Sequence, residues 1–579
     1  MAKSCSDLPD ECWELIFDRL HKLHHSLLVS PSLTCKRFLS ITNTLRTHLT
    51  IVHPTTFPIS TLFNRFPNLD SVYLRFFCSE DLNRVITDIT TSNLNLKTLD
   101  FTGTDGLPLE SWRLIGSRMN NLRVLICLGL EKLRDIELVV IADSMPCLEE
   151  LDISYPVNDF GSDHDELEGR SPGEVGVTDS GIEVLSSKLR CLRKINLTGN
   201  EFLTDKSLIA LSTNCVYLTE MVVLNCSVTE YGIEFVMSNS TKLSVLSVDE
   251  IDFDLLDDCS IRCARNISSL AIYNSKVPDE YLNLLVKADI PLKSFTLSYC
   301  MCSQFIFSGI SSLLDKYRSL ESLDLDGINL LTDENMSSLS QCLSALVTIS
   351  LDCCDNLTES TFFKLAKECP LLEDISMGGT NLGRGGDTAI DVVKNPRIKS
   401  LNLENNSNLS DECLAKLALV CPNLEALVVT SCKGITEKGI ADFLKSSSNV
   451  RKLRIDECGG IKNIGSGFEL LKLDFIGATR SGINDDGLVV IGNRCRGLLN
   501  LNLDGCFGVT IVGLKEILKN CERLRKINLT GCLNVSKEVV DWMVFTRPSL
   551  REIILSHSSL PSESQRELFL RHGCLVSSE

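Results

Sequence analysis

Cysteine and histidine are the residue types in this chain that could bind metals or act as nucleophiles. The chain has 26 cysteines and 8 histidines. Thiolates and imidazoles bind zinc and act as nucleophiles, but a zinc site needs about four ligands that converge at one place. The cysteines are instead distributed evenly along the chain. This distribution predicts reduced, buried side chains that fill small apolar spaces, with no metal and no cofactor.

The cysteines keep fixed places relative to a recurring leucine. One set follows this leucine by eight residues, and asparagine takes the same place at Asn200 and Asn406. Its members are Cys226, Cys300, Cys354, Cys432, Cys458, Cys506 and Cys532. A second set precedes the leucine by three residues: Cys215, Cys369, Cys421, Cys495 and Cys521. Such regular spacing indicates a ladder through a repeated fold.

The histidines give no support to an enzyme. Five of them lie within the first 53 residues, and few lie among the repeated leucines and cysteines. A Cys-His nucleophile pair or a catalytic metal site needs a histidine beside its partner. We therefore predict a protein that is not an enzyme.

The repeated element is the apolar motif L-x-x-L-x-L, in which other apolar residues are allowed at the three fixed places. It occurs as LKTLDF from Leu96, LESLDL from Leu320 and LREIIL from Leu550. We count about 19 copies from Leu69 onward, at a mean spacing of about 27 residues. Side chains alternate along a strand, so the last two fixed residues point inward and their neighbours outward. A single repeat cannot cover its own leucines, whereas a stack can.

Helix start signals follow each strand. Ser, Thr or Asn stands before an acidic residue at Thr204, Thr332, Ser410, Thr436 and Asn484. These residues cap free amides and complement the helix dipole. Strand and helix in alternation predict an α/β solenoid, a curved horseshoe with a parallel inner sheet and outer helices. The pattern resembles the cysteine-containing subclass of leucine-rich repeats.

The first 50 residues follow a different pattern. In LPDECWELIFDRL, apolar residues recur at helical spacing, and SLLVSPSLTCKRFLSIT predicts one or two further short helices. By itself this pattern is typical of a helical cap over the first repeat.

The same segment resembles an F-box. The resemblance rests on the opening Leu-Pro, on Ile16 and Leu20, and on the closing SLTCKRF, in which Phe38 stands where many members have tryptophan. It implies docking onto a Skp-family adaptor and, through it, onto a cullin-RING ligase. The residues that it assigns to adaptor binding are Leu8, Pro9, Ile16, Leu20, Leu33 and Cys35.

Carboxylates recur at the outward places of the middle and late repeats. They are Asp324, Asp326, Asp352, Asp374, Glu404, Asp456, Asp474 and Asp504. Equivalent places in earlier repeats are apolar: Val124, Ile126, Leu128, Val222, Leu224 and Val245. The carboxylates are either a solvated face or a binding surface on which a partner docks a basic segment beside an apolar anchor.

The net charge and the domain organisation limit the possible functions. The net charge of −19 disfavours nucleic acid and membrane surfaces as partners, and no signal peptide or membrane span is evident, which predicts a nuclear or cytoplasmic protein. We expect an F-box at 1–50, a connecting segment at 51–68 and repeats at 69–579, with an acidic loop inserted at about 155–176. From Val450 to Leu470 the repeat is short, and CGGIKNIGSGF replaces a helix.

By resemblance, the chain is the substrate-recognition subunit of a Skp-cullin-F-box (SCF) E3 ubiquitin ligase. It would recruit an unidentified target protein for ubiquitination and proteasomal degradation, while other subunits carry out the transfer. Two alternatives stay open. One is a small-molecule co-receptor of the auxin or jasmonate receptor type, for which Lys452, Arg454 and Lys472 would form a small basic island. The other is an interaction scaffold with no ligase role.

Overall fold

A computed structural model gives the fold of the chain. It describes residues 8–23, 28–52, 59–156, 176–253, 264–302, 306–385, 392–465 and 469–578. Most of the predicted insertion at 155–176 lies outside the described residues. The chain forms two compact units, Met1–Leu270 with Lys287–Pro291 and Ala271–Val286 with Leu292–Glu579.

The first unit begins with three short helices, α1 (Asp10–Leu23), α2 (Val29–Ser32) and α3 (Lys36–Thr44). Buried Phe17, Leu28 and Ile41 form their core. The module therefore has an apolar centre of its own, separate from that of the repeats.

After these helices the first unit alternates parallel strands with helices, as the motif predicts. Its strands are His48–Val52, Ser71–Arg75, Thr98–Asp100, Val124–Ile126, Glu150–Asp152, Lys194–Asn196, Glu220–Val223 and Val245–Asp249. The helices between them are Ile59–Arg65, Ser79–Thr91, Leu109–Arg118, Asp135–Ser144, Asp179–Lys188, Asp205–Asn214 and Glu230–Asn239. The chain passes from one unit to the other within the strand Ser269–Tyr273 and the helix Asp279–Ala288.

The second unit repeats the same alternation. Its strands are Ser294–Ser298, Ser322–Asp324, Thr348–Ser350, Asp374–Ser376, Ser400–Asn402, Ala426–Val428, Lys452–Arg454, Phe475–Gly477, Asn500–Asn502, Lys526–Asn528, Glu552–Leu555 and Leu575–Ser578. Its helices are Ile306–Lys316, Asp333–Leu339, Glu359–Glu368, Asp411–Val420, Glu437–Ser446, Asp485–Arg494, Ile511–Asn520, Lys537–Thr546 and Glu563–Arg571. The short strands Lys276–Val277 and Met301–Cys302 pair with each other. None of the described helices combines the length and the apolarity that a membrane crossing needs.

Neighbouring strands pair in parallel, and each motif place meets the same place in the next repeat. In the second unit, Leu323 is opposite Ile349, which is opposite Ile375. The three fixed apolar places are buried, for example Leu320, Leu323 and Leu325. The predicted strand orientation is thus confirmed, and the inward leucines of successive repeats form one continuous apolar column within each unit.

The strands also show where the motif was incomplete. Each predicted copy corresponds to a strand, but the first unit has a further strand before its first copy, His48–Val52, and the second unit has one after its last copy, Leu575–Ser578. The first of these pairs with Ser71–Arg75, so the predicted connecting segment 51–68 begins inside the sheet. It also holds the helix Ile59–Arg65.

The short repeat has a different register from the one that the sequence predicts. The strand Phe475–Gly477 aligns Ile476 with Leu453, which makes Leu473, and not Leu470, the first fixed residue. The turn seven residues after that residue is left-handed in each neighbouring repeat, and Arg480 has this conformation (φ 50°). Both LLKLDF and LDFIGA present apolar residues at motif spacing, and only the pairing distinguishes them.

Cysteines and asparagines of the ladder satisfy carbonyl groups between repeats. The thiol of Cys432 donates to the carbonyl of Leu403 at 3.0 Å, and Asn406 uses its amide in the same way toward Met377 at 2.7 Å. Burial raises the pKa of Cys432 to about 12. The structural role predicted for these cysteines is confirmed there, and no group of three metal-binding side chains occurs among the described residues.

Capping residues link six pairs of helices from neighbouring repeats. A threonine before one helix donates its amide and its hydroxyl to the first-turn aspartate of the preceding helix. The pairs are Thr178 with Asp135, Thr204 with Asp179, Thr229 with Asp205, Thr358 with Asp333, Thr436 with Asp411 and Thr510 with Asp485. The acidic residue predicted to favour its own helix dipole thus also connects two repeats.

These links predict unequal effects for two adjacent aspartates. Asp485 accepts from Thr510 and from the Gly513 amide, whereas Asp486 is an exposed first-turn residue of the same helix. Asp485→Ala should lower the free energy of unfolding by about 1–2 kcal/mol, and Asp486→Ala by much less. Urea unfolding followed by circular dichroism measures both. Equal effects would contradict the inter-repeat role of Asp485.

Candidate functional site

The N-terminal module is held together at the start of α1. Helix α1 begins after Pro9, whose carbonyl accepts from the amide of Cys12 at 3.2 Å. The Arg37 guanidinium, on α3, donates to the Leu8 carbonyl and to the Asp10 carboxylate, both at 2.6 Å. Arg37 therefore fixes the Leu-Pro segment against the start of α3.

An aromatic group fills the interior between α1 and α3. The ring centroids of Trp13 and Phe38 are 4.6 Å apart, and those of Phe17 and Phe38 are 5.1 Å apart. Phe38 thus packs against the module core as an apolar anchor, at the place where tryptophan is usual. The departure from the family pattern leaves this core filled.

Most of the residues assigned to adaptor binding are exposed. The exposed fractions of Leu8, Ile16 and Leu33 are 38%, 41% and 71%, and Pro9 is exposed as well. The neighbouring Leu15, which the sequence did not single out, is also exposed on α1. Several exposed apolar side chains on so small a module are typical of a surface that a partner covers.

Leu20 and Cys35 have different places. Leu20 is half-buried against the module core. Cys35 is exposed, and its sulfur accepts the amide of Phe38 at 3.4 Å as the N-cap of α3. Both residues therefore shape the module. Arg37 and Asp10 do so too, and the only sequence signal for them was the Cys-Lys-Arg-aromatic run.

The repeats contact another part of the module. The rings of His21 and His48 stack at 5.4 Å, and Asn68 donates to the carbonyl of Thr44 at 2.9 Å. Burial, together with the nearby charges of His21 and Arg46, lowers the pKa of His48. The first repeat thus contacts one side of the module and leaves Leu8, Ile16 and Leu33 exposed.

The comparison with protein families agrees with this arrangement. The F-box domain model matches residues 5–50, which include α1 to α3. The N-terminal module is an F-box domain.

Two proteins of Arabidopsis thaliana are similar to parts of this chain, and the first is named as an F-box protein. The F-box protein MAX2 of Arabidopsis thaliana is 24% identical over 237 residues, which cover 34% of this chain and 34% of the relative. The GRR1-like protein 1 of Arabidopsis thaliana is 31% identical over 119 residues, which cover 19% of this chain and 20% of the relative. The chain thus spans about a third and a fifth of the lengths of these relatives.

Solved structures were compared as well. The Rad7 and Elc1 complex in yeast matches with a TM-score of 0.38 and 13% identity over 81% of this chain and 88% of that chain. The TLR13-ssRNA13 complex matches with a TM-score of 0.41 and 16% identity over 90% of this chain and 76% of that chain.

The predicted carboxylates of the second unit differ in their places and in what they contact. Asp326 accepts the amide of Asp352 at 2.7 Å, and Asp352 accepts the hydroxyl of Ser376 and the amide of Gly378. Asp324 accepts the amide of Asp326 at 3.0 Å. These three carboxylates satisfy amides at strand ends while staying half-buried, so they have a structural role in addition to their negative charge.

Burial affects the charge of this group. It raises the pKa of Asp324 to about 6, with the charges of Asp326 and Asp352 contributing. It also raises the pKa of Asp326 and that of Tyr273, which faces Asp324. A positive charge placed nearby would oppose this effect, because it favours the charged form of a carboxyl group.

Other members of the predicted stripe differ from one another. Asp374 is exposed, and Glu404 and Asp504 are half-buried. Asp456 departs from the expectation, because it is only 6% exposed and accepts from Arg454 and from the Thr479 amide.

Two residues of the short repeat also move out of the predicted surface. The register places Asp474 just before its strand, where it binds Arg451 at 2.8 Å. The same register removes Lys472 from the proposed basic island, since Phe475 is the residue opposite Lys452.

The apolar places of the first unit are half-buried. They are interrupted, however. Glu150, Lys194 and Glu220 lie between Val124 and Val245 in the strand register. The ammonium of Lys194 lies 3.6 Å from Glu150 and 3.4 Å from Glu220. A concavity of about 210 Å³ lies over these residues. It offers small apolar walls around a central ion-pair network.

The raised pKa of Asp324 predicts a pH dependence of stability. Because the folded state holds this proton more tightly than the unfolded state, the contribution of Asp324 to stability falls as pH rises from about 4 to about 6. Asp324→Asn keeps an oxygen that can accept the Asp326 amide and removes the charge. Differential scanning calorimetry measures the melting temperature of this variant minus that of the wild type. This difference should be more positive at pH 7.5 than at pH 4. A difference that does not change with pH would contradict this assignment.

Proposed function

We propose that this chain is the substrate-recognition subunit of an SCF-type E3 ubiquitin ligase. The single observation that carries the proposal is an F-box domain whose core is filled while Leu8, Ile16 and Leu33 remain exposed. The exposed residues dock onto a Skp-family adaptor, and the repeats hold a target protein.

The adaptor surface follows from the geometry of the module. Burying Leu8 and Leu33 on a partner removes apolar area from water, and such anchors dominate binding energies at interfaces. Arg37 joins the Leu8 backbone to α3, so the docking segments are ordered before binding. An ordered surface loses less conformational entropy on association.

Catalysis in this proposal takes place elsewhere in the complex. F-box domains are generally non-catalytic adaptors. The contribution of the chain is to hold a target close to the ubiquitin-conjugating enzyme, which raises the effective concentration of the target lysine. The target is then ubiquitinated and sent for proteasomal degradation.

A double variant of the F-box tests the proposal. Leu8→Ala with Leu33→Ala should weaken binding of a purified Skp-family adaptor at least about tenfold, because two anchors are lost. Surface plasmon resonance on the full chain measures the affinity. Leu330→Ala, an exposed leucine of the repeats, is the matched control and should bind normally. The proposal fails if the double variant binds as tightly as this control while its circular dichroism spectrum is unchanged.

For the target, we propose that the carboxylates of the second unit meet a basic segment. Asp374 is exposed and Asp326 half-buried on the sheet face. Exposed Tyr299 lies beside this group, since its hydroxyl donates to the sulfur of Cys353 at 3.3 Å and its pKa is raised in part by the charges of Asp326 and Asp352. Negative charge beside an exposed ring favours lysine or arginine next to an apolar side chain.

Target capture tests this surface. The F-box double variant should trap targets without destroying them, and captured proteins are quantified by mass spectrometry. Adding Asp326→Asn and Asp374→Lys should reduce capture of these proteins at least about fivefold, because complementary charge is lost. Asp442→Lys, on an exposed helix position, is the control. Unchanged capture of every target would contradict the assignment of this surface to target binding.

A further inference from the structure

A basic band runs along one edge of the second unit. It consists of charged residues immediately before or at the start of the strands of the late repeats. From the strand Ser400–Asn402 to the strand Glu552–Leu555, its cations are Arg397, Lys399, Arg451, Lys452, Lys472, Arg496, Arg523, Arg525, Lys526 and Arg551, and its acids are Glu425, Asp474, Glu522 and Glu552. We call this set the basic rim. Ten cations against four acids form a local reversal of sign in a chain whose net charge is −19.

A groove of about 720 Å³ lies in the basic rim. Its charged lining consists of four cations, Lys399, Arg451, Lys472 and Arg523, and two acids, Glu425 and Asp474. Apolar lining comes from Pro396, Leu471 and Leu499. The rim thus combines cations with apolar surface in one concave place.

The groove owes its shape to the short repeat. No helix is described between the strands Lys452–Arg454 and Phe475–Gly477. The Leu470 amide donates to the Arg494 carbonyl at 2.9 Å, so the chain before the strand runs directly against the next repeat. A Cβ on Gly497 would lie 2.4 Å from the Leu471 carbonyl, which shows how close this approach is. Leu471 is thereby held 58% exposed at the groove.

Part of the positive charge in the rim has no ion-pair partner among the described residues. Lys399 binds Glu373 and Arg451 binds Asp474. Within the part of the chain that the structure describes, no carboxylate lies within ion-pair distance of Arg523, Arg397 or Arg525. A partner that brings carboxylates would meet guanidinium groups that need not first give up an ion pair.

We propose that the basic rim and its groove bind an extended acidic peptide segment of a partner protein. Carboxylates of the segment pair with Arg523 directly and with Lys399 in exchange for its ion pair with Glu373. An apolar residue between them packs on Leu471. A peptide fits better than a nucleic acid, because the exposed leucine rewards an apolar side chain and the net negative charge of the chain repels a polyphosphate at long range. This surface is separate from the F-box and from the carboxylates of the sheet face, so it goes beyond the proposed function.

A fluorescent peptide of alternating glutamate and leucine tests the proposal against the full-length chain. Fluorescence anisotropy should detect binding at about 0.05 M salt and weaker binding at about 0.3 M salt, because exposed charges are screened. A peptide with glutamine in place of glutamate should bind at least about tenfold more weakly.

Variants locate the site. Lys399→Glu with Arg523→Glu should weaken peptide binding at least about tenfold. Lys433→Glu with Lys438→Glu makes the same charge change at two exposed positions, one in the turn after the strand Ala426–Val428 and one in the helix Glu437–Ser446, and it should leave binding unchanged. The proposal is overturned if the two double variants bind equally, or if the wild type does not bind the peptide. It is also overturned if single-stranded oligothymidylate binds more tightly than the peptide and the rim variant abolishes that binding.

Discussion

Stacking is the constraint on which the rest of this structure depends. Each repeat carries three aliphatic side chains that only its neighbours can cover, as Leu320, Leu323 and Leu325 illustrate. Covering each such side chain contributes about 1.5–3 kcal/mol, which a lone repeat could not gain. In-register parallel pairing keeps the column continuous, so the sheet face, the outer helices and the turns all follow the same period.

Polar groups between repeats are satisfied by hydrogen bonds that recur with the same period. Thiols such as that of Cys432 take one carbonyl, threonine caps such as Thr510 bind the previous aspartate, and carboxylates such as Asp352 take the amides of the next strand. Each contact links one repeat to its neighbour. Many residues whose chemistry suggests catalysis or binding are therefore used to hold the stack together, and function falls to side chains that the stack leaves open.

The F-box differs because it does not depend on the stack for its core. Trp13, Phe17 and Phe38 fill it from within, while histidine stacking and the Asn68 contact attach it to the first repeat. Its apolar exterior thus remains available to a partner. In our proposal this independence separates adaptor binding from target choice, and it lets each be changed without the other.

Local patterns predicted much of this fold. Motif spacing located the strands, capping signals located many helices, and the period of the cysteines indicated their burial. Local patterns could not predict contacts between residues that are distant in the sequence. Asp456 matched an outward place, but its burial depends on Arg454 and on the Thr479 amide one repeat later.

The other differences have similar causes. The end strands His48–Val52 and Leu575–Ser578 lack the full motif, and they are recognised by the strands that they pair with. Leu470 and Leu473 both satisfied the motif, and strand pairing selected Leu473. Within the F-box, the sequence indicated exposed anchors such as Leu33, but the role of Arg37 rests on contacts 27 and 29 residues away in the chain.

Hydrogen–deuterium exchange of the full chain, with and without a purified Skp-family adaptor, tests the central claim most directly. Our proposal predicts that the adaptor slows amide exchange in 8–16 and 33–38 and leaves exchange in the strands and helices of the second unit unchanged. Slower exchange confined to the repeats, with the F-box segments unaffected, would contradict it.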